Sequence, residues 1–376
     1  MKILVDSQIP LLHELFSCLG EVNTYSGRVI EPEQLQDVEV LIVRSTMMVD
    51  ESLLQHSSVK FVGTCTIGTD HLDTDYLDAK GITWANAAGC NANSVAQYVL
   101  SAMAELAPQW LTANVGIVAC GNIGRRVYRR LRALGVNCFC YDPFLSSEAC
   151  SHLTSLEQVL QADIVISHAP LTTTGKYPTQ HLLSHTQLEQ LQDGCLLISA
   201  GRGAVVDNAA LLAKLKPHKN ISVALDVWEH EPDINLELLA LVDIATPHIA
   251  GHSVEGKQNG TVMVYRALCE FLQVSAIDVD TILDTEKQAL RINANKLAGT
   301  PAEQFNQLLL AAYPIMQDDQ RLREYLHQPV AAKLSMAEYF DTLRKHYPAR
   351  REYPHFIFPT VAQQAPIKDW LLALYD

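Results

Sequence analysis

Short apolar runs alternate with helix-spaced apolar positions along most of the chain. From residue 115 the rhythm is regular, with runs at 115–119, 137–141, 164–167, 196–199, 222–226 and 244–246. Helical patterns at 156–161, 187–191 and 209–215 lie between them. Apolar runs this short, without polar alternation, read as strands covered on both faces, and the intervening helices supply the crossovers. The expected fold is therefore α/β, with six parallel strands in a doubly wound, Rossmann-like sheet whose ligands lie at the strands' carboxyl ends. A smaller version of the same alternation precedes it. Strands are expected at 3–6, 40–44, 60–65 and 83–85, and helices at 11–19, 33–36, 51–55 and 74–79.

Residues 91–106 carry Val95, Tyr98, Val99, Ala102, Met103 and Leu106 on one helical stripe that stops near Pro108, a helix expected to carry the chain from the first domain to the second. Residues 254–272 read as the return helix. Composition shifts after about residue 284, with helical pieces at 305–313 and 336–346 and a strand-like 355–358. The expected domains are 1–95, completed by about 254–284; 96–253; and a small appended α+β domain, 285–376. This last piece reads as interface rather than active site. A basic pair in it, Arg350-Arg351, suggests a reach into a neighbouring subunit's cleft.

With 376 residues the chain exceeds one ordinary core, and 48% hydrophobic against 19% charged residues excludes disorder. The formal net charge of −14 disfavours nucleic acid and anionic membranes as partners, so an anionic substrate must be held by a few local cations. Met1-Lys2 leads straight into an apolar strand pattern, unlike a signal peptide, and no apolar run is long enough for a bilayer. The nine cysteines include no C-x-x-C pair, and Cys65, Cys120, Cys138 and Cys140 sit inside apolar runs as small core residues. A reducing cytoplasm is the expected compartment.

The chemistry starts at V-G-I-V-A-C-G-N-I-G-R-R, residues 115–126. Strand, glycine turn and helix follow one another here, as in a dinucleotide-binding unit where the pyrophosphate sits on the helix N-terminus. Gly121 and Gly124 fill the second and third fingerprint positions, and Ala119 stands at the first. Asp142 closes the next strand, where an acid takes the adenosine ribose hydroxyls and repels a 2′-phosphate, favouring NAD over NADP. An ordinary strand–helix turn is the alternative.

Three later strand ends carry polar residues that a core does not need: Arg202 in A-G-R-G, Glu231 in V-W-E-H-E-P and His248 in P-H-I-A-G-H. If the strands are neighbours, these converge on the nicotinamide. Histidine takes the hydroxyl proton as hydride leaves carbon, a carboxylate orients and charges the imidazole, and arginine forks onto a substrate carboxylate. Each residue also has a structural alternative: a surface arginine between glycines, a helix-start acid beside Pro232, and a hydrogen-bonded core histidine. His248 and His252 are spaced like a metal pair, but Pro247 and Gly251 argue against a helix there and no third ligand is near, so no metal is expected.

At these residues the chain resembles the D-2-hydroxyacid dehydrogenases. The carriers are 115–125 with Asp142, G-R-G-A-V-V-D-N at 201–208, D-V-W-E-H-E-P at 226–232 and T-P-H-I-A-G at 246–251. The resemblance implies two α/β domains with a cleft between them, Arg202 on the substrate, Glu231 in the relay and His248 as acid/base. Cofactor contacts carried over are Asn122, Ile123, Asp142, Ala169 (through its backbone), Asp226 toward the carboxamide, and Gly251. Four further stretches, 2–10, 43–46, 87–98 and 248–261, resemble a branch that acts on a small phosphorylated 2-hydroxy acid. That branch implies Thr66-Ile67-Gly68 as a backbone nest for the carboxylate, Arg44 and Ser45 on the phosphate, and His252 where tyrosine is usual. It also implies a dimerising C-terminal domain, and relatives that recycle tightly held NAD with a 2-oxo acid. Another member of the family, acting on phosphoglycerate, glyoxylate or D-lactate, and a non-catalytic NAD-sensing scaffold remain the alternatives.

Overall fold

The computed structural model describes all residues except 147, 149, 217–219, 284–289, 293–296, 329–333, 360–364 and 376. The chain divides into two compact units, Met1–Ala92 with His252–Gln288 and Asn93–Gly251 with Ala289–Asp376. Among the described residues the first unit holds a parallel sheet of β1 (Lys2–Asp6), β2 (Glu21–Tyr25), β3 (Val40–Val43), β4 (Phe61–Thr64) and β5 (Thr83–Asn86), in the order β2-β1-β3-β4-β5. β2 escapes the apolar pattern because, as an edge strand, it buries only Tyr25 fully. The helix Val254–Leu272 does return to this unit, packing Val264 and Leu268 with Ile3 and Ile42 in one core.

The second unit holds β6 (Asn114–Val118), β7 (Asn137–Tyr141), β8 (Ile164–Ser167), β9 (Leu196–Ser199), β10 (Ser222–Leu225) and β11 (Ile244–Ala245). All pairs are parallel, in the order β11-β10-β9-β8-β6-β7, so the expected doubly wound sheet is present and its winding reverses between β6 and β8. Register places Tyr141, Val118, Ser167, Ser199, Leu225 and Ala245 in one row across the sheet. Every loop leaving that row therefore starts at the same level. Apolar residues alternate between the faces: Ile166 and Ile198 pack with the Ala92–Leu106 helix, Val165 and Leu197 with the opposite layer.

The C-terminal segment packs into this same unit. Phe305 and Leu308 of the Pro301–Ala312 helix enter one face's core, and Leu322 and Phe340 enter the other's. The Met316–His327 helix is invisible to apolar periodicity because it buries Asp318 and Asp319. Two short strands, β12 (Leu290–Arg291) and β13 (Phe356–Ile357), pair in parallel.

Ala119 explains how the fingerprint works without its first glycine. Its φ is +69°, the left-handed conformation that glycine adopts freely and alanine adopts at a cost of about 1 kcal/mol. Gly124 is required on packing grounds instead, since a Cβ there would lie 2.0 Å from the Ala119 carbonyl oxygen. Ala119→Gly should be neutral or stabilising by up to about 1 kcal/mol, the relieved strain being partly offset by glycine's greater unfolded-state freedom. Urea unfolding checks this, and a loss of 1 kcal/mol or more would refute the strain.

Candidate active site

The row of strand ends builds the site in two stretches. At β6, β7 and β8 the helix Asn122–Ala133 begins directly after Gly121, whose N-cap position leaves the first helical N–H groups without helical partners. A Cβ at Gly121 would meet nothing within 4 Å, so a ligand can approach the backbone there. Gly121 and Asn122 are exposed and Ile123 is half-buried. Asp142 receives N–H donors from Cys120 (2.9 Å) and Phe144 (3.0 Å), which fix its carboxylate beside the loop. Ala169 is 1% exposed and offers only backbone; its carbonyl oxygen would lie 2.6 Å from a Cβ on Gly201.

Sequence reasoning missed His168, which directly follows β8 at the winding reversal. Both its ring nitrogens are buried and lack a hydrogen-bond partner of good geometry, and burial, opposed only weakly by the Ala200 backbone, pushes its pKa down to about 4. A polar residue directly after an apolar strand is the only signal the sequence carries for it, and a lone one is weak. Open backbone at a helix start, an acid at the next strand end and an orphaned imidazole between them fit a dinucleotide with its phosphates and ribose hydroxyls.

At β9, β10 and β11 the predicted triad lies on three successive strand ends. His248 donates from Nδ1 to Glu231 Oε2 (2.7 Å); the carboxylate can only accept, so Nε2 is the nitrogen left to act as base. Glu231 Oε1 receives the Trp228 N–H (2.7 Å). Burial raises the Glu231 pKa, but the His248 charge and hydrogen bond, the Trp228 N–H and the Arg344 charge together hold it below the usual carboxylate value. His248 itself has φ +55°, a strained backbone for a residue with a side chain.

That strain is held by Asp226, 1% exposed at the end of β10. Its Oδ1 accepts from Thr246 Oγ1 (2.6 Å) and Ile249 N (2.7 Å), and Oδ2 from Ala250 N (2.9 Å). Tyr98 O–H backs up Thr246 at 3.0 Å. Burial pushes the Asp226 pKa up, opposed by the His248 charge and these donors. Arg202 follows β9 half-buried, with Nη1 on the Gly201 carbonyl (3.0 Å). Its loop is laced to the next: Glu229 accepts from Asn208 N (2.9 Å), Asn208 Oδ1 accepts from Glu229 N (3.2 Å), and no side chain fits at Gly203, where a Cβ would lie 1.9 Å from the Trp228 carbonyl oxygen. Gly251 closes the unit after this loop.

Arg350 does not point outward as the basic pair suggested. It is 7% exposed and donates from Nη2 to the Ala250 carbonyl and to Ser94 Oγ within its own unit, because its planar charge is sandwiched by aromatic rings rather than solvated. Arg351 bonds to His355.

In the first unit, Arg44 and Ser45 follow β3 and Thr66–Gly68 follow β4, level because Val43 pairs with Thr64. Arg44 Nε is anchored on Asp6 Oδ2 (2.9 Å), Ser45 is exposed, and Thr66 Oγ1 bonds to Thr64 Oγ1 (2.8 Å). His252 is half-buried just before Ser253, which caps the Val254–Leu272 helix. Among the described residues the groups close enough to share a metal ion are Cys120, Cys140 and Cys150, and His181, Asp207 and Glu229. Neither contains His248 or His252.

Residues 93–250 match the family described as D-isomer specific 2-hydroxyacid dehydrogenase, NAD binding domain, and 286–376 match one described only as a domain of unknown function. Solved structures share the fold at low identity. D-lactate dehydrogenase from Aquifex aeolicus, with NAD and lactic acid, is 24% identical with a TM-score of 0.63, covering 73% of this chain and 96% of that one. NAD-bound 3-phosphoglycerate dehydrogenase from Entamoeba histolytica is 22% identical with a TM-score of 0.63, covering 73% and 95%. With the match to an NAD binding domain and the relatives that follow, the class is an NAD-dependent oxidoreductase. Erythronate-4-phosphate dehydrogenase of Cellvibrio japonicus is 46% identical over 375 residues, 100% of this chain and 99% of that protein. The enzyme of that name from Proteus mirabilis is 44% identical over 360 residues, 94% and 93%. The chain belongs to the erythronate-4-phosphate dehydrogenases. No helix among the described residues is long and apolar enough to cross a membrane.

The buried His168 makes stability pH-dependent in a defined direction. Its pKa is depressed from 6.5 to about 4, so its contribution is fully present above 6.5 and is lost as pH falls toward 4. Between pH 7 and pH 5 the wild type should lose about 2 kcal/mol more than His168→Gln, measured by urea unfolding. Equal losses in both proteins would refute the shift.

Proposed function

We propose that this enzyme oxidises 4-phospho-D-erythronate at C2 to 2-oxo-3-hydroxy-4-phosphobutanoate, a step toward pyridoxal 5′-phosphate, with NAD as cofactor. The observation that carries the reading is the His248–Glu231 pair, with Nε2 left as the base on a loop level with the cofactor turn. When bound, NAD supplies the hydride acceptor. Backbone N–H groups of Gly121, Asn122 and Ile123 would hold its phosphates, Asp142 its adenosine ribose, and His168 a further hydroxyl or phosphate oxygen. Asp226 Oδ2 keeps one acceptor position for the carboxamide, and Ala169 and Gly251 contribute backbone.

His248 Nε2 takes the C2 hydroxyl proton while Glu231, held ionised, stabilises the resulting imidazolium. Arg202 orients the carboxylate or the C2 oxygen, and Thr66–Gly68 N–H groups receive the carboxylate. Arg44, preset by Asp6, takes the phosphate with Ser45 and His252. The division into substrate, cofactor and dimerisation domains follows the same reading. For a homodimer, Ile357, Leu372 and Tyr375 offer exposed apolar surface on the C-terminal segment. A 2-oxo acid as electron acceptor and a cytoplasmic location, matching nine cysteines with no disulfide among them, complete it.

NADH-linked turnover should favour 4-phosphoerythronate over 3-phosphoglycerate and D-lactate, assayed with and without 2-oxoglutarate; preference for another acid would sink the substrate. His248→Ala should lower kcat by about 10²–10⁴; activity within a few-fold of wild type would remove it as acid/base. Arg44→Ala should raise KM for the phosphorylated acid by about 10- to 100-fold, as expected for a lost charge-assisted hydrogen bond, and leave an unphosphorylated acid nearly unaffected. Equal effects on both would end the phosphate assignment.

A further inference from the structure

The loop from Thr246 to Ala250 carries a histidine with a left-handed backbone, and such a conformation persists only where the surroundings over-determine it. Asp226 grips the middle of this loop. Its two ends are gripped by the C-terminal segment of the same chain. At the start, β11 is the edge strand, and the Ala245 N–H donates to Asp319 Oδ1 (2.8 Å). Asp319 is 4% exposed and is itself fixed by Arg323 Nε at 2.8 Å. The Arg323 guanidinium then donates to the carbonyls of Leu239 and Val242, 2.6 Å each, at the end of the Leu236–Leu241 helix that leads into β11.

At the far end the Ala250 carbonyl accepts from Ser94 Oγ (2.8 Å) and from Arg350 Nη2. Arg350 is locked in turn. Its guanidinium lies 4.3 Å from the centroid of the Tyr313 ring and 6.0 Å from that of Tyr347. Both tyrosine hydroxyls donate to Asp318 Oδ2, at 2.7 and 2.6 Å. Asp318 and Asp319 are neighbours on one helix, so the two grips are joined through a single element. The next helix, Met336–Lys345, also brings the Arg344 charge to bear on Glu231. A surface or interface module has no need of a buried aspartate pair and a buried arginine aimed at backbone groups of the histidine loop.

We propose that the C-terminal segment acts in cis as a clamp on the catalytic loop, with Arg350 and Asp319 as positioning residues that hold His248 against Glu231. This rests on the reading of His248 as the acid/base. Misplacing that imidazole by about 1 Å is enough to cost up to about 10²-fold in rate, without direct contact between Arg350 and the substrate.

The test is a double-mutant cycle of Arg350→Met with His248→Ala, read beside amide hydrogen exchange of the 246–251 peptide. Arg350→Met should lower kcat by about 10- to 100-fold with KM for substrate and NAD nearly unchanged, and should cost almost nothing further in the His248→Ala background. Exchange should quicken in 246–251 while the 222–225 strand stays protected. Arg350→Lys, which keeps the charge but not the planar stack, should recover only part of the rate. If Arg350→Met does not fold, Arg350→Lys and Asp319→Asn carry the same cycle. An equal loss in both histidine backgrounds, or unchanged exchange in 246–251, overturns the clamp. If His248→Ala keeps nearly wild-type turnover, the acid/base reading falls instead, and the exchange measurement alone decides the clamp.

Discussion

One buried carboxylate carries the geometry of the loop that bears His248. Asp226 directly follows β10, and its two oxygens collect the Thr246 hydroxyl and the N–H groups of Ile249 and Ala250. Without it, three buried donors would lose their acceptor, each at a cost of about 1–3 kcal/mol, and the left-handed turn at His248 would lose its hold. The carboxylate is isolated from solvent, which makes each of these bonds stronger than a surface bond and makes any unpaired member costly. Burial raises its pKa while its donors and the charge on His248 oppose that rise. The group that positions the histidine loop is thus itself influenced by the charge that loop carries.

The parallel sheet makes such a group effective. Because Ser199, Leu225 and Ala245 lie in one row, the loops bearing Arg202, Glu231 and His248 leave at a common level, and short side-chain bonds suffice to tie them. Trp228 links two of them, donating its backbone N–H to its own loop's Glu231 and its indole N–H to the Thr246 carbonyl (3.0 Å). The cofactor turn leaves the same row at β6, where the winding reverses, which is where an open α/β sheet offers a crevice. Ala119 carries backbone strain in that turn, and Gly121 beside it stays open.

Much of this was legible in the chain. Both sheets, the return helix and the placement of Arg202, Glu231 and His248 past neighbouring strand ends follow from apolar runs and from polar residues placed just past them. Misses have particular causes. β2 is an edge strand with polar flanks, and the Met316–His327 helix hides its period behind two buried aspartates. His168 was passed over because a lone histidine after an apolar strand has no spacing partner. The Arg350-Arg351 pair suggests a reach toward a neighbouring subunit, since nothing local shows that Tyr313, Tyr347 and Ala250 surround Arg350.

By itself the sequence determined the alternation of strands and helices, and it nominated the glycine turn, its acid and the Arg202, Glu231 and His248 set as the site. These depend on residues near one another in the chain, where periodicity and turn chemistry act. Only the tertiary structure decided that Asp226 holds the histidine loop, that Nε2 of His248 is the nitrogen left free of Glu231, and that a segment about 100 residues downstream grips both ends of that loop. Those are contacts between groups far apart in sequence, and a buried charge reveals its role only once its partners have been folded around it.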